Sequence, residues 1–419
     1  MKTQFTVAII GCGQRGMGTY GSIMLESPER FRIVSVCDIN PVRLAQAREK
    51  FGVAEEDAFL REEDFFAKRR ADLLLVTTLD ADHVRQGIEG LRLGYDLLME
   101  KPITADPAEA KALLAAQQQY GGRVTVCHVL RYAPAFRKAA ELLQAGRIGR
   151  LVAIDATEQV AFWHQSHSFV RGNWRRTGET APMILAKCCH DLDLLQWYAG
   201  SRCVSLSSVG ELTFFKEENA PEGSAARCLD CALADSCPFS AKRIYLDAFR
   251  GGKTNWPVNV ISDVRPLTEE AVTEALREGP YGRCVFRCDN DAVDHQLTLM
   301  TFENGVKASL TMTAFTKDSG RIIYFRGTAG ELILNEETDR ITLKVFGGEN
   351  EEWPIADLVA SGSGHGGGDT GLVNGLYEAL LAGGAAPTAL QASVESHLMG
   401  FAAERSRLAG GKLEYVHEK

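Results

Sequence analysis

The chain has no run of about 18–20 uncharged apolar residues, the length a helix needs to cross a bilayer, so no membrane partner is expected. A leader signature is missing too. The opening MKTQFTVAIIGCG carries one lysine and a short apolar run, then passes straight into a glycine loop without a small-residue cleavage site, and a cytoplasmic location is the expectation. Basic residues are not in excess. A formal charge of -9 with both signs interspersed argues against nucleic acid or an anionic membrane and favours a small molecule as partner. There is no internal repeat. What remains is ordinary: hydrophobic residues make up 45% and charged residues 24% of 419, a length too great for one core and suited to two domains or three. The 11 cysteines are an odd number, and Cys12, Cys37 and Cys127 lie in apolar strand-like contexts where a thiol behaves as a small hydrophobe, as in a reducing compartment.

Up to about residue 127, short β-rich runs at 5–11, 32–38, 72–78, 95–100 and 123–129 alternate with helical stretches, which predicts a parallel sheet with crossover helices. Nearly continuous apolar character suits strands covered on both faces. Asp106-Pro107 reads as the cap and first turn of one helix. After about residue 150 the runs lengthen, and Asn304-Gly305 is a hairpin signal between two of them. The expected fold is α/β followed by α+β: a dinucleotide-binding domain over 1–127, then an open, mostly antiparallel sheet domain with helices on one face over 128–419. Residues 216–290, polar and punctuated by cysteine, proline and glycine, read as an insertion or extended active-site loop. From Gly371 to about Leu408 helical spacing returns, and this segment is expected to pack back on a sheet.

Gly11-Cys12-Gly13-Gln14-Arg15-Gly16 is G-x-G-x-x-G directly after an apolar strand and before a plausible helix. In that context Gly11 allows the tight turn, Gly13 admits a pyrophosphate, Gly16 lets helix and strand pack, and Gln14 and Arg15 open the helix whose N-terminus faces the phosphates. Asp38 ends the second run, where a carboxylate bonds the adenosine ribose and repels a 2′-phosphate, pointing to NAD over NADP. Arg43 nearby softens that preference. A glycine-rich turn without ligand is the bland reading of the same residues.

Glu100-Lys101-Pro102 stands at the carboxyl end of the run at 95–100, the side on which open α/β sheets bind ligands. A Lys-Pro bond can be cis at modest cost, which would turn the ammonium into the cleft. Alone, the tripeptide also suits a surface turn. It is accompanied by Gly-x-Gly-x-x-Gly at 11–16, Thr77-Thr78 with His83, Arg131-Tyr132-x-Pro134, Gly146-x-Ile148-Gly149 and His190-Asp191-x-Asp193. In this order the motifs resemble the glucose–fructose oxidoreductase / inositol dehydrogenase (Gfo/Idh/MocA) family across roughly the whole chain. The resemblance implies a Rossmann domain, a sheet domain that pairs copies into a homo-oligomer (dimer or tetramer) through its outer face, and oxidation or reduction of a secondary alcohol on a sugar or cyclitol with NAD(P). It implies catalytic roles for Lys101 and His190, cofactor contacts from Thr77, Thr78, His83, Glu100 and Lys101, and substrate contacts from Lys101, Arg131 and Asp191. A base must take the hydroxyl proton as hydride leaves, and imidazole suits that at neutral pH, while an ammonium beside the same oxygen stabilises developing alkoxide. The reverse assignment, with a lysine of depressed pKa as base, stays open. The chain departs from the family at Ala186, where relatives often carry an aspartate four residues before the histidine; Lys187 beside it is a further catalytic candidate and would lower the pKa of His190 if close.

Trp163, His164, Arg171, Trp174 and Arg175 form an aromatic and hydrogen-bonding stretch suited to stacking on a sugar and binding its hydroxyls, or equally to an amphipathic segment with core tryptophans. Cys228-x2-Cys231-x5-Cys237, with Cys284 and Cys288 beyond, supplies enough thiolates for a structural zinc, with an iron–sulfur cluster as the rival and free or disulfide-linked thiols as the alternative. Three activities follow from the whole: a sugar or cyclitol dehydrogenase with dissociable NAD, a glycosidase that retains NAD and oxidises C3 transiently, and a non-catalytic NAD-binding sensor.

Overall fold

The computed structural model describes residues 2–359 and 364–417. The first sheet is built on β1 (Phe5–Ile10), flanked by β2 (Phe31–Cys37), β3 (Ala58–Phe59), β4 (Leu73–Val76), β5 (Asp96–Met99) and β6 (Val124–Val126) in the order β3-β2-β1-β4-β5-β6. Every pairing is parallel, as the continuous apolar runs require of strands covered on both faces. Leu73, Leu74 and Leu75 are fully buried, and Cys12, Cys37 and Cys127 sit in the same interior. β3 escapes the sequence reading because two residues are too short for a periodic signal. Two crossover helices start at side-chain caps, one of them the Asp106 that the sequence marks. Asn40 accepts hydrogen bonds from Val42 N and Arg43 N at the head of Pro41–Phe51, and Asp106 accepts from Ala108 N at the head of Pro107–Tyr120. Strand order reverses between β1 and β4, so the loops leaving these two strands form the crevice where an open sheet takes its ligand.

The second sheet has nine strands in the order β14-β13-β12-β11-β7-β10-β9-β8-β15. They are β7 (Leu151–Gln159), β8 (Cys203–Glu211), β9 (His295–Phe302), β10 (Lys307–Thr313), β11 (Gly320–Gly327), β12 (Gly330–Asn335), β13 (Arg340–Val345), β14 (Asn350–Pro354) and β15 (Glu414–Tyr415). Only β7 with β10 runs parallel among the described pairs. Gly305, with φ +90°, closes the β9–β10 hairpin. Along β9 the period of two sends Gln296, Thr298, Met300 and Phe302 inward and leaves Leu297 and Leu299 outward, 47% and 65% exposed. Val209 of β8 stands in register with Leu297 and is also exposed.

Between β8 and β9 the chain leaves the sheet, as the composition of 216–290 suggests, and gathers its own small core around Tyr245, Val258, Val272 and Leu276. The C-terminal helical segment is two helices, Gly368–Ala382 and Leu390–Leu408, and the second packs on β8 and on the helix Cys189–Ala199.

Candidate active site

The crevice begins at Gly11, whose φ of +90° turns the chain sharply out of β1 and whose missing Cβ would lie 2.5 Å from the Thr77 carbonyl oxygen. A Cβ on Gly16 would meet the Gly11 carbonyl oxygen at 2.1 Å, so strand and helix touch there. At Gly13 a Cβ would meet nothing within 4 Å, and the helix that follows opens at Gln14. Open space before free helix N–H groups is what a pyrophosphate needs, so these residues fit a bound dinucleotide. Thr77 Oγ1 donates to Gly11 O at 2.7 Å, locking the two loops together. Thr78 Oγ1 donates to Gln86 Oε1, and the His83 ring spans the carbonyl oxygens of Pro102 (2.8 Å) and Thr78 (3.1 Å), so these two residues shape the crevice from behind. Asp38 stands at the end of β2, accepting from Cys12 N and Asn40 N, both at 2.8 Å, with Arg43 ion-paired to it at 3.2 Å.

Two of the expected cofactor contacts are corrected. Arg15 turns inward, with Nε 2.6 Å from Glu100 Oε1, Nη2 2.8 Å from Asp369 Oδ1 and its guanidinium over the Tyr20 ring. Glu100 spends both oxygens inside the protein, on Arg15 and Tyr20 OH and on the Lys101 N–H. A carboxylate that deep needs a counter-ion, and Arg15 supplies it in place of reaching a phosphate. Burial raises the Glu100 pKa, but Arg15 and Lys101 outweigh it and hold the group below its ordinary value.

Lys101 follows β5, and its peptide bond to Pro102 is cis. Its Nζ donates to the Ala186 carbonyl at 3.0 Å. His190 is the second residue of the helix Cys189–Ala199, nearly buried, with Nδ1 unpartnered and its ring edge-on to His128 at 5.8 Å between centroids. Burial first, and then the Lys101 ammonium, push the His190 pKa well below 6.5, so the imidazole is neutral at physiological pH. A third histidine faces it: the His365 ring centroid is 6.2 Å from that of His190, and His365 Nδ1 lies 2.9 Å from Asp369 Oδ2. Burial raises the Asp369 pKa, but its bonds to His365 and Arg15 win and hold it well below the carboxylate range. No sequence signal marked this His–Asp pair beyond an i,i+4 spacing in a glycine run.

Lys187 does not join Lys101 as a reacting group. Its Nζ is 2.8 Å from Glu158 Oε1 of β7, Glu158 Oε2 pairs with Arg321 Nη2 at 2.7 Å, and Arg321 Nε pairs with Asp191 Oδ1 at 2.7 Å. Glu158 therefore brings a carboxylate to Lys187 from β7, and Asp191 is ion-paired with Arg321. Arg131 is likewise corrected: it forms a fork on Asp193, with 2.7 Å contacts to both oxygens. Arg171 is fully buried and bonds the carbonyls of Arg283 and Phe239 instead of facing a substrate, and Arg175 pairs with Asp289. Trp174 Nε1 donates to Asp80 Oδ2 at 3.1 Å, beside the loop after β4.

What survives of the aromatic wall is Trp163 and His164, joined by Trp256 of the insertion at 5.3 and 4.9 Å between centroids, with Lys253 over the Trp163 ring. Burial and then Lys187 depress the His164 pKa, so its imidazole is neutral. Periodicity could not reveal Trp256, Glu158, Arg321 or His365, because each comes from a segment remote in sequence. Cys228, Cys231, Cys237 and Cys284 converge on one small cavity, whereas Cys288 bonds the Cys284 carbonyl and does not line it.

The insertion also reaches the dinucleotide crevice. Asn259 Nδ2 donates to Gln14 Oε1 at 3.1 Å, Asn40 Nδ2 to Asp263 Oδ2 at 2.8 Å, and Gln46 Nε2 to the Asp263 carbonyl at 2.8 Å.

Gly13→Ala is expected to melt like the parent while weakening NAD binding at least tenfold by titration calorimetry, because its Cβ enters only the open space; Gly16→Ala is expected to lower Tm because its Cβ meets backbone. Equal behaviour of the two would refute this reading of the loop. His128, His167 and His397 have pKa values lowered to about 3 by burial, and His190 is depressed as well. The folded state then stays unprotonated at these rings while the unfolded chain takes up protons below about 6.5, so stability is full above that pH and falls beneath it, by up to about 1.4 kcal/mol per histidine per pH unit. Tm at pH 5.5 is therefore expected several degrees below Tm at pH 7.5 in calorimetry; an unchanged Tm would count against neutral buried histidines.

Comparison with known proteins agrees with this geometry. Residues 5–128 match the family described as "Oxidoreductase family, NAD-binding Rossmann fold", and residues 136–233 match "GFO/IDH/MocA C-terminal domain". The putative oxidoreductase YteT of Bacillus subtilis is 24% identical over 394 residues, covering 88% of each chain. An inositol 2-dehydrogenase of Corynebacterium glutamicum is 25% identical over 49% of this chain and 57% of its own length. Among solved structures, an oxidoreductase domain protein from Kribbella flavida superposes with a TM-score of 0.73 at 17% identity over 100% of both chains. The WlbA dehydrogenase of Bordetella pertussis, in complex with NADH and UDP-GlcNAcA, does so at 0.70 and 17% over 100% of this chain and 99% of its own. Loop, lysine, histidine and two-sheet architecture together place the chain in the Gfo/Idh/MocA family of NAD-binding oxidoreductases.

Proposed function

We propose that the protein oxidises or reduces a secondary alcohol of a sugar, glycoside or cyclitol, using NAD in preference to NADP. The observation that carries this reading is a glycine cradle with room for the dinucleotide, tied through Arg15 and Glu100 to Lys101, whose charge bears on the buried, neutral His190. When bound, the nicotinamide accepts hydride at C4. In the oxidising direction the imidazole of His190 takes the hydroxyl proton, which it can do because burial and Lys101 keep it unprotonated. The Lys101 ammonium, held by the Ala186 carbonyl, orients the same oxygen and stabilises its developing negative charge. His365, braced by Asp369, stands on the far side of His190 and can pass the proton onward to solvent, since its side chain is 44% exposed. Trp163, His164 and Trp256 offer a stacking wall for a sugar ring. Asp38 favours the free ribose of NAD, with Arg43 as its partner.

The bonds from Asn259 and Asp263 across the dinucleotide crevice favour a second reading, a glycosidase that retains its NAD and oxidises the sugar only transiently. A sugar and glycoside panel separates the two: steady NADH formation supports the dehydrogenase, and glycoside cleavage without net NADH supports the glycosidase. Lys101→Ala and His190→Ala are each expected to lower kcat by about 10²–10⁴-fold while NAD affinity stays within a few-fold. Parental turnover in either variant would remove this mechanism. The outward Leu297, Leu299 and Val209 are the surface by which we expect copies to pair; Leu299→Asp should shift the mass in light scattering toward the monomer, and an unaltered oligomer would refute that surface.

A further inference from the structure

The insertion holds a second centre away from Lys101 and His190. A short antiparallel bridge between Arg227 and Arg283 sets two remote segments side by side, with Cys284 N donating to Ala226 O at 2.8 Å. Cys228 then begins a turn, Cys231 follows it, and Cys237 N is drawn back to Leu233 O at 2.9 Å. The result is a cavity of about 30 Å³ lined by Cys228, Cys231, Cys237 and Cys284, with Arg171 beside them and otherwise mainly apolar walls. All of these cysteines are free thiols.

Arg171 is the independent sign that something anionic belongs here. It is fully buried and pairs with no carboxylate among the described residues. Its Nε donates to Arg283 O and its Nη2 to Phe239 O, both at 2.7 Å; Nη2 also points at Cys228 Sγ, 3.5 Å away, and Nη1 has no partner at all. A buried guanidinium without a counter-ion is strongly unfavourable, and neutral thiols do not balance it. Four thiolates around a metal centre leave a net negative unit, which does.

The size of the space discriminates between centres. A single zinc draws its sulfurs in to about 2.3 Å and leaves no room between them. Here, among the described residues, no three histidine, cysteine or acidic side chains stand close enough to hold one metal ion. We propose that Cys228, Cys231, Cys237 and Cys284 ligate an iron–sulfur cluster, with Arg171 as its buried counter-ion and Cys288 outside it. The Cys237-Pro238 pair fits the Cys-Pro ending common in such ligand runs. The cluster clips residues 228–237 to the segment around 284 and so braces the insertion whose Asn259 and Asp263 touch the dinucleotide crevice. It stands apart from the proposed alcohol chemistry, which neither supports nor requires it.

The test is chemical analysis of the full-length protein purified without oxygen and without affinity metal. About four iron and four acid-labile sulfide per chain, with broad visible absorption, is the expected result. Cys231→Ser and Cys237→Ser should each lose most of that iron and sulfide, while Cys288→Ser keeps it. Stoichiometric zinc without sulfide overturns the cluster, and so does a protein with neither metal. Retention of the full complement in both ligand variants overturns the ligand set. Should those variants prove insoluble, the iron and sulfide content of the parent protein still decides.

Discussion

Much of this structure hangs on the need to neutralise Glu100. The carboxylate follows β5 inside the protein, where an unpaired charge is untenable, and it is satisfied by Arg15 from the glycine loop, Tyr20 from the helix after it, and the backbone N–H of Lys101. One side chain therefore ties the dinucleotide loop to the lysine that follows it. Arg15 extends the tie to Asp369, and Asp369 to His365. Cofactor loop, the backbone of the lysine and the far histidine are thus linked through one chain of ion pairs and hydrogen bonds that starts buried at Glu100 and ends at a partly exposed imidazole.

A second network sets the other wall. Glu158 between Lys187 and Arg321, and Asp191 on Arg321, replace the single carboxylate that relatives often place before the histidine. Glu158 comes from β7, which pairs with β10 and β11 at the middle of the large sheet. Burying two acids with two bases costs solvation that only close geometry returns. Arg321 of this network adds to the lowering of the His190 pKa behind burial, Lys101 and His128.

What could be read in the sequence was local. Gly11 and Gly16 announce their roles because a turn and a close approach each require the absence of Cβ, and Asp106 and Asn304-Gly305 mark their elements by capping or turn chemistry within three residues. Lys101 and His190 were found by motif. The resemblance assigns Arg131 and Asp191 to substrate, and the aromatic stretch suggests Arg171 and Arg175, but a charged side chain in sequence gives no hint of its partner, and each of the four has one inside the protein. The same blindness hid Glu158, Arg321, Trp256 and His365, which are brought in by the second sheet, the insertion and the turn before the helix Gly368–Ala382. Four of the five grouped cysteines share a cavity, and the irregular spacing of the last two did not show which one stands apart.

The Arg15–Asp369 pair joins residues 354 positions apart. During synthesis the first sheet can fold as soon as β6 emerges, for all its strands lie before residue 127. Until the helix Gly368–Ala382 has been made, however, Arg15 lacks its second carboxylate and His190 lacks its facing histidine. A chain that stops before His365 therefore carries all the strands of the first sheet while its glycine-loop arginine and its reaction corner both lack the partners that Asp369 and His365 bring.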